Sequence, residues 1–298
     1  MATIKPIFLL ADSQLLFWRE RRELPGEQGE EQTEEQTAEQ ESPFLERVRG
    51  LLDEEAPLPD PKAAYLGASN GDAPEFFDLF EAAMAGIGIR NCRHIPSDPQ
   101  DADIEFLKEA DLILLAGGDV GRGWRVFERT GIKDRLVERY YAGALLMGVS
   151  AGAVQLGLKG WDEASERLID TLRLVPFVVD VHDEPSWSRL LKAVPKAGEH
   201  ARGFGIPSGG GALYHPDYSV EPVRHPLTEV ALGEEGQARQ ALLLPGEHEP
   251  VPPAEPSELT KELLSGGLEG TREVDLGVDA EPGPGQAEIE KPEPEPVN

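Results

Sequence analysis

The chain has 298 residues, only 6% of them aromatic, and a formal net charge of -28. Its length allows one large domain or two small ones, while the charge argues against nucleic acid or an anionic membrane as partner, since both would repel the protein at long range. A lone cysteine, Cys92, leaves no intrachain disulfide and no cysteine-rich metal site; with no basic-then-apolar leader and no run of roughly 18 apolar residues, a cytoplasmic protein is expected.

Pro6 to Ala11 (PIFLLA) is a short, uniformly apolar run of the kind a strand buried on both faces shows. Residues 23 to 41 then carry eight acids and no base, a composition unable to bury enough apolar surface to offset the entropy of ordering. Residues 23–42 are therefore expected to be a disordered acidic insert between a first strand and its helix. Helical spacing resumes with Phe44, Leu45, Val48, Leu51 and Leu52. Ala63 to Leu66 reads as a second buried strand, ending in a glycine-bearing turn that runs to Asp72. Pro74 to Met84 follows as an amphipathic helix, with Asp72 as its expected cap. Arg90 to Ile95 is a weaker strand, Asp101 to Ala110 a helix, Asp111 to Leu115 (DLILL) a strongly apolar strand, Trp124 to Tyr141 helical, and Ala144 to Val149 (ALLMGV) a strand.

This alternation predicts an α/β fold: three layers, a mostly parallel sheet with helices on both faces. Leu172 to Val181 is strand-like and Trp187 to Val194 a short helix, whereas Gly-rich turns between β-prone runs from Gly203 onward predict hairpins forming an antiparallel extension at the sheet edge. From Glu247 to Asn298 fourteen acids face three bases. Residues 1–246 thus read as one domain, and 247–298 as a disordered acidic tail rich in Pro and Glu. Insert and tail read first as solubilising flanks, second as arms for a protein partner.

The chemistry concentrates at Gly148-Val149-Ser150-Ala151-Gly152. Gly-x-Ser-x-Gly between a buried strand and a small-residue helix is a nucleophile elbow, in which glycines relieve the clashes of a tight turn that lifts the hydroxyl outward. Ser150 is the expected nucleophile; as a plain βα turn, the same residues would make it only a helix cap. Donors for a developing oxyanion are expected from the backbone N–H of Ala151 and from Gly117-Gly118, at the end of the neighbouring strand. Among six histidines, His182 ends an apolar strand and is the expected base; Asp180, two residues earlier, leaves the same strand face.

Ala116-Gly117-Gly118-Asp119, Gly148 to Ala153 (GVSAGA) and Asp180-Val181-His182 together resemble the dipeptidase E and cyanophycinase family of serine peptidases, over roughly Pro6 to Leu244. The resemblance implies a class I glutamine amidotransferase-like, flavodoxin-like fold with Ser150 attacking a peptide bond, His182 as base, and Gly118 with Ala151 forming the oxyanion hole. It also implies a small peptide substrate, with Asp119, Asn70 and Arg189 as binding candidates and no metal or cofactor. Cyanophycinase-like members draw their third catalytic residue from a Gly-Ile-Asp-Glu-like segment. Here that run is Gly205-Ile206-Pro207-Ser208, without an acid, and an arginine-rich stretch after the histidine is reduced to Arg189-Leu190. In dipeptidase E the acid lies between serine and histidine, which points to Asp162 or, less well, Glu163; Asp180 is the other candidate. Two readings stay open: a serine hydrolase cleaving a short peptide or related amide, and an inactive family member serving as a binding or scaffold protein. A homodimer is also left open.

Overall fold

The computed structural model describes residues 3–19, 42–233 and 236–253. The acidic insert lies almost wholly outside these residues, as does the tail beyond 253. In chain order the strands are β1 (Ile7–Leu10), β2 (Lys62–Leu66), β3 (Asn91–Ile95), β4 (Leu112–Leu115), β5 (Leu145–Val149), β6 (Lys159–Asp162), β7 (Arg167–Asp170), β8 (Val178–Val181), β9 (Arg202–Ile206), β10 (Gly211–Tyr214), β11 (Ser219–Val223), β12 (Leu227–Leu232), β13 (Ala238–Leu243) and β14 (Glu249–Pro250). The helices are α1 (Pro43–Leu52), α2 (Pro74–Gly86), α3 (Asp101–Glu109), α4 (Val120–Thr130), α5 (Ile132–Tyr141), α6 (Ala151–Leu156) and α7 (Ser188–Ala197).

The main sheet runs β14-β11-β10-β1-β5-β4-β2-β3. Its five strands from β1 to β3 are mutually parallel, and β10, β11 and β14 extend it antiparallel from the β1 edge. Alternate residues of each strand serve opposite layers. Ile7 and Leu9 pack with Ile113, Leu115 and the α4–α5 residues Phe127 and Leu136, while Phe8 and Leu10 pack with Leu114, Phe44 of α1 and Phe80 of α2. Burial on both faces explains why these strands are apolar throughout rather than alternating. The predicted three-layer α/β architecture is the one observed, and none of the described helices is long and apolar enough to cross a membrane.

The structure corrects the reading at several places. The helical region from Trp124 to Tyr141 begins earlier and is two helices, broken at Gly131, whose φ of 71° no α-helix continues. Asp72 does not cap α2: its carboxylate accepts from Ser97 N at 2.9 Å, while Asn70 Oδ1 accepts from Ala73 N at 3.3 Å. The hairpins after Gly203 do not all join one edge. β9, β12 and β13 combine with β8 in a separate four-stranded sheet, in which β8 and β9 are parallel. This sheet is covered by α7, which buries Leu190, Ala193 and Val194 against Val178 and Val230. Finally, Glu249–Pro250, within the predicted tail, pairs with β11 because the apolar Val251 beside it is buried and Tyr214 Oη donates to its carbonyl at 3.2 Å.

Two contacts tie the layers together and can be tested. Gly152 of α6 lies so close to β4 that a Cβ would overlap the Leu115 carbonyl; Gly152→Ala is expected to lower Tm by several degrees, equivalent to about 1–3 kcal/mol of overpacking, and an unchanged Tm would contradict that packing. Arg47 of α1 meets Glu221 of β11 through two hydrogen bonds of 2.7 Å, and His215 reaches the same carboxylate at 2.8 Å. The Arg47 hydrogen bond, reinforced by His215 against the cost of burial, lowers the Glu221 pKa to about 2. A depressed carboxylate contributes stability above its ordinary pKa that is lost as pH falls from near 4.5 towards 2. In Glu221→Gln this part of the acid dependence of Tm should flatten, and a profile identical to wild type would contradict the assignment.

Candidate active site

Ser150 follows β5 directly and precedes α6, at the carboxyl end of the parallel sheet where such folds bind ligands. Its backbone has φ 50° and ψ -111°, a region costly for a residue with a Cβ, of order 1–3 kcal/mol. The neighbouring strands hold it there. Ser150 N donates to Leu10 O of β1 at 2.9 Å, and α6 folds back so tightly that a Cβ on Gly148 would stand 2.5 Å from the Gly152 carbonyl carbon. Glycine at 148 and 152 is therefore a steric requirement of the elbow.

The loop after β4 approaches from the side. A Cβ on Gly117 would lie 3.2 Å from Ser150 Cβ, and Gly118, at φ +128°, would carry a Cβ into the Ser69 carbonyl. Asp119 N donates to that carbonyl at 2.9 Å, locking the β4 loop onto the β2 loop. The backbone N–H groups of Gly118 and Ala151 have no hydrogen-bond partner among the described residues. Both residues border, with Ser150, a cleft of about 190 Å³.

His182 borders the same cleft. It stands just beyond β8, which is anchored to the α6 side by Leu158 N donating to Phe177 O at 2.8 Å. Its φ of 57° is a second left-handed non-glycine conformation at this site. Nδ1 lies 3.4 Å from Ser208 Oγ, which leaves Nε2 as the nitrogen free to serve another group. No hydrogen bond joins His182 to Ser150, Asp162 or Asp180 among the described residues.

The remaining sequence candidates fall into two groups. Asp180 borders the cleft, is buried, and pairs through Oδ1 with Arg189 Nη2 at 3.1 Å. Burial raises its pKa above the ordinary carboxylate value against the opposing pull of Arg189. Arg189 also meets Glu163 at 2.9 Å, so its guanidinium is shared between two carboxylates. Asp119 borders the cleft too, but its side chain caps α4 by accepting from Arg122 N at 2.5 Å.

Asp162 and Asn70 do not border the cleft. Asp162 accepts from Ser165 Oγ at 2.7 Å and pairs with Arg125 at 3.4 Å, holding the β6–β7 hairpin, an element absent from the sequence reading. Asn70 donates to Tyr65 Oη at 2.7 Å and organises the turn before α2. Among the described residues, one trio brings possible metal-ligating atoms within 4.8 Å of one another, namely His215, Glu221 and His248. It lies on the antiparallel extension, and Arg47 already occupies both Glu221 oxygens.

Sequence reasoning missed Ser208 and Glu184. Ser208 N donates to Glu184 Oε1 at 3.1 Å, which places a carboxylate beside the residue that contacts His182. The available signal was positional: Ser208 ends the Gly205-Ile206-Pro207-Ser208 run already noted for lacking an acid.

The sequence profile of peptidase family S51 matches residues 37–207, spanning β2 to β9 and including Ser150 and His182. No curated protein matches the chain. The solved structure of a peptidase from an acI-B1 Actinobacterium superimposes with a TM-score of 0.58 at 16% identity, covering 83% of this chain and 97% of that one. A candidate peptidase E from Listeria monocytogenes EGD-e gives a TM-score of 0.50 at 17% identity, covering 74% and 99%. At such identities the structural likeness establishes the fold; the profile match, across more than half of the sequence, establishes the relationship. The chain belongs to peptidase family S51, the dipeptidase E family of serine peptidases.

Proposed function

We propose that the protein cleaves short peptides with Ser150 as nucleophile and His182 as general base. The observation that carries this reading is the meeting of four groups at one cleft: the Ser150 elbow, the two unpaired N–H groups of Gly118 and Ala151, and the His182 ring. Preorganised backbone donors cost nothing to reorient as charge develops on a carbonyl oxygen, and one such donor is worth about 10²–10³ in rate. Ser150 Oγ adds to the carbonyl carbon while His182 Nε2 takes its proton. The oxyanion is held by Gly118 and Ala151, and the tetrahedral species collapses as His182 returns the proton to the departing amine. Water then repeats the sequence on the acyl-enzyme.

The cleft also supports a view of the substrate. At about 190 Å³ it is smaller than a typical drug-sized pocket of roughly 300–1,000 Å³, which suits a short segment of chain. Arg189, the cationic side chain among the predicted substrate contacts, is paired with Asp180 and Glu163. Binding an acidic substrate side chain there would mean displacing one of those carboxylates.

A fluorophosphonate probe tests the reading. Wild type should be labelled and Ser150→Ala should not, with the labelled peptide containing residue 150. Absence of label on the wild type, or equal label on Ser150→Ala, would overturn it and favour a binding role for the cleft.

A further inference from the structure

We infer that Ser208 and Glu184 together replace the missing third catalytic residue as a positioning relay: His182 Nδ1–H donates to Ser208 Oγ, and the Ser208 hydroxyl donates onward to the Glu184 carboxylate. This rests on the assignment of His182 as base. A histidine that takes a proton at Nε2 must carry its other hydrogen on Nδ1, and it needs an acceptor there to fix the tautomer and steady the imidazolium. Ser208 Oγ, at 3.4 Å from Nδ1, is the group in that position. Neither of the aspartates expected for the role reaches the ring. Asp162 is held by Ser165 and Arg125, and Asp180 by Arg189.

A serine hydroxyl alone is a weak substitute for a carboxylate because it bears no charge. It has one hydrogen, however, and once Oγ accepts from His182 that hydrogen is free to point elsewhere. Ser208 N already donates to Glu184 Oε1 at 3.1 Å, which holds that carboxylate next to the residue whose hydroxyl hydrogen needs an acceptor. Partial desolvation disfavours ionisation of Glu184, but hydrogen bonds from its own backbone and from Ser208, with the attraction of His182, bring its pKa below the ordinary glutamate value. The carboxylate is thus charged at neutral pH and stands beside the residue whose hydroxyl meets the ring.

The backbone fixes the intermediate link. Gly210 N donates to Pro207 O at 2.9 Å, closing a turn with Ser208 and Gly209 at its centre, and Gly209 has a φ of +71°. Gly209 N donates to Asp12 Oδ2 at 2.7 Å, and Arg224 Nη1 donates to Gly209 O at 3.2 Å. His182 N donates to Ile206 O at 3.3 Å, so the strand that carries the histidine and the strand leading to the serine are held in register. His182 and Ser208 are therefore both set by backbone contacts, as a positioning device requires.

The relay is tested by the rate and saturation of fluorophosphonate labelling in four full-length proteins: wild type, Ser208→Ala, Glu184→Gln, and Glu184→Gln combined with Ser208→Glu. The first two variants should lose about tenfold in maximal labelling rate, the scale of one hydrogen bond to a charged group, with the half-saturating probe concentration unchanged. The combined variant, which puts a carboxylate directly beside His182, should recover at least half of the wild-type rate; a structural role would not be rescued by that change. Both side chains are exposed, so Tm should match wild type in every variant. Labelled wild type with both single variants equally fast, or slowed with no recovery in the combined variant, overturns the relay alone. A wild type that takes no label overturns the catalytic reading and the relay with it.

Discussion

The approach of α6 to the strand ends of the parallel sheet is the constraint on which the site depends. Gly148 and Gly152 are in near contact, Gly152 also sits against the Leu115 carbonyl, and Ser150 between them is held at φ 50° and ψ -111°. The strain at Ser150 is small beside the surrounding burial. β1, β4 and β5 are almost entirely inaccessible to solvent, so the sheet cannot relax to relieve one residue. From the same packing follow the free N–H of Ala151 and the closeness of Gly117 to Ser150. A side chain at any of the three glycines would disturb the positions of the others.

Much of this was legible in the sequence because the physics is local. ALLMGV is buried on both faces and reads as such; glycines at 148 and 152 announce a turn that a Cβ would block. The alternation of apolar runs with helical periods also gave the layer order without reference to distant contacts. The second half was harder, because β9 pairs with β8 across the intervening α7 and with β12 across the intervening β10 and β11. Nothing near Arg202 indicates that its strand pairs with β8 on one side and β12 on the other. The reach of the main sheet into the acidic tail depends on one apolar residue, Val251, in a run otherwise dominated by Glu and Pro.

The third catalytic position was the least legible part of the site. The resemblance points to Asp162 or Glu163 and strand alternation to Asp180, and in the structure the two aspartates meet partners other than His182. Asp162 closes the β6–β7 hairpin, and Asp180 pairs with Arg189 at the cleft. In the proposed relay Glu184, in a polar loop, reaches His182 only through Ser208, a residue 24 positions later. Such an indirect link leaves no fixed spacing to find. It becomes visible only when β8 and β9 are seen as parallel neighbours, with His182 and Ser208 emerging beyond the same ends.

In the proposed reaction the elbow aims Ser150 at a point shared by the Gly118 and Ala151 amides. A crystal structure of the protein after reaction with a fluorophosphonate tests it most directly. Phosphorus should be found bonded to Ser150 Oγ, with its oxygen accepting hydrogen bonds of about 2.7–3.1 Å from both N–H groups. An adduct on another residue, or a phosphonyl oxygen turned away from both amides, would contradict it.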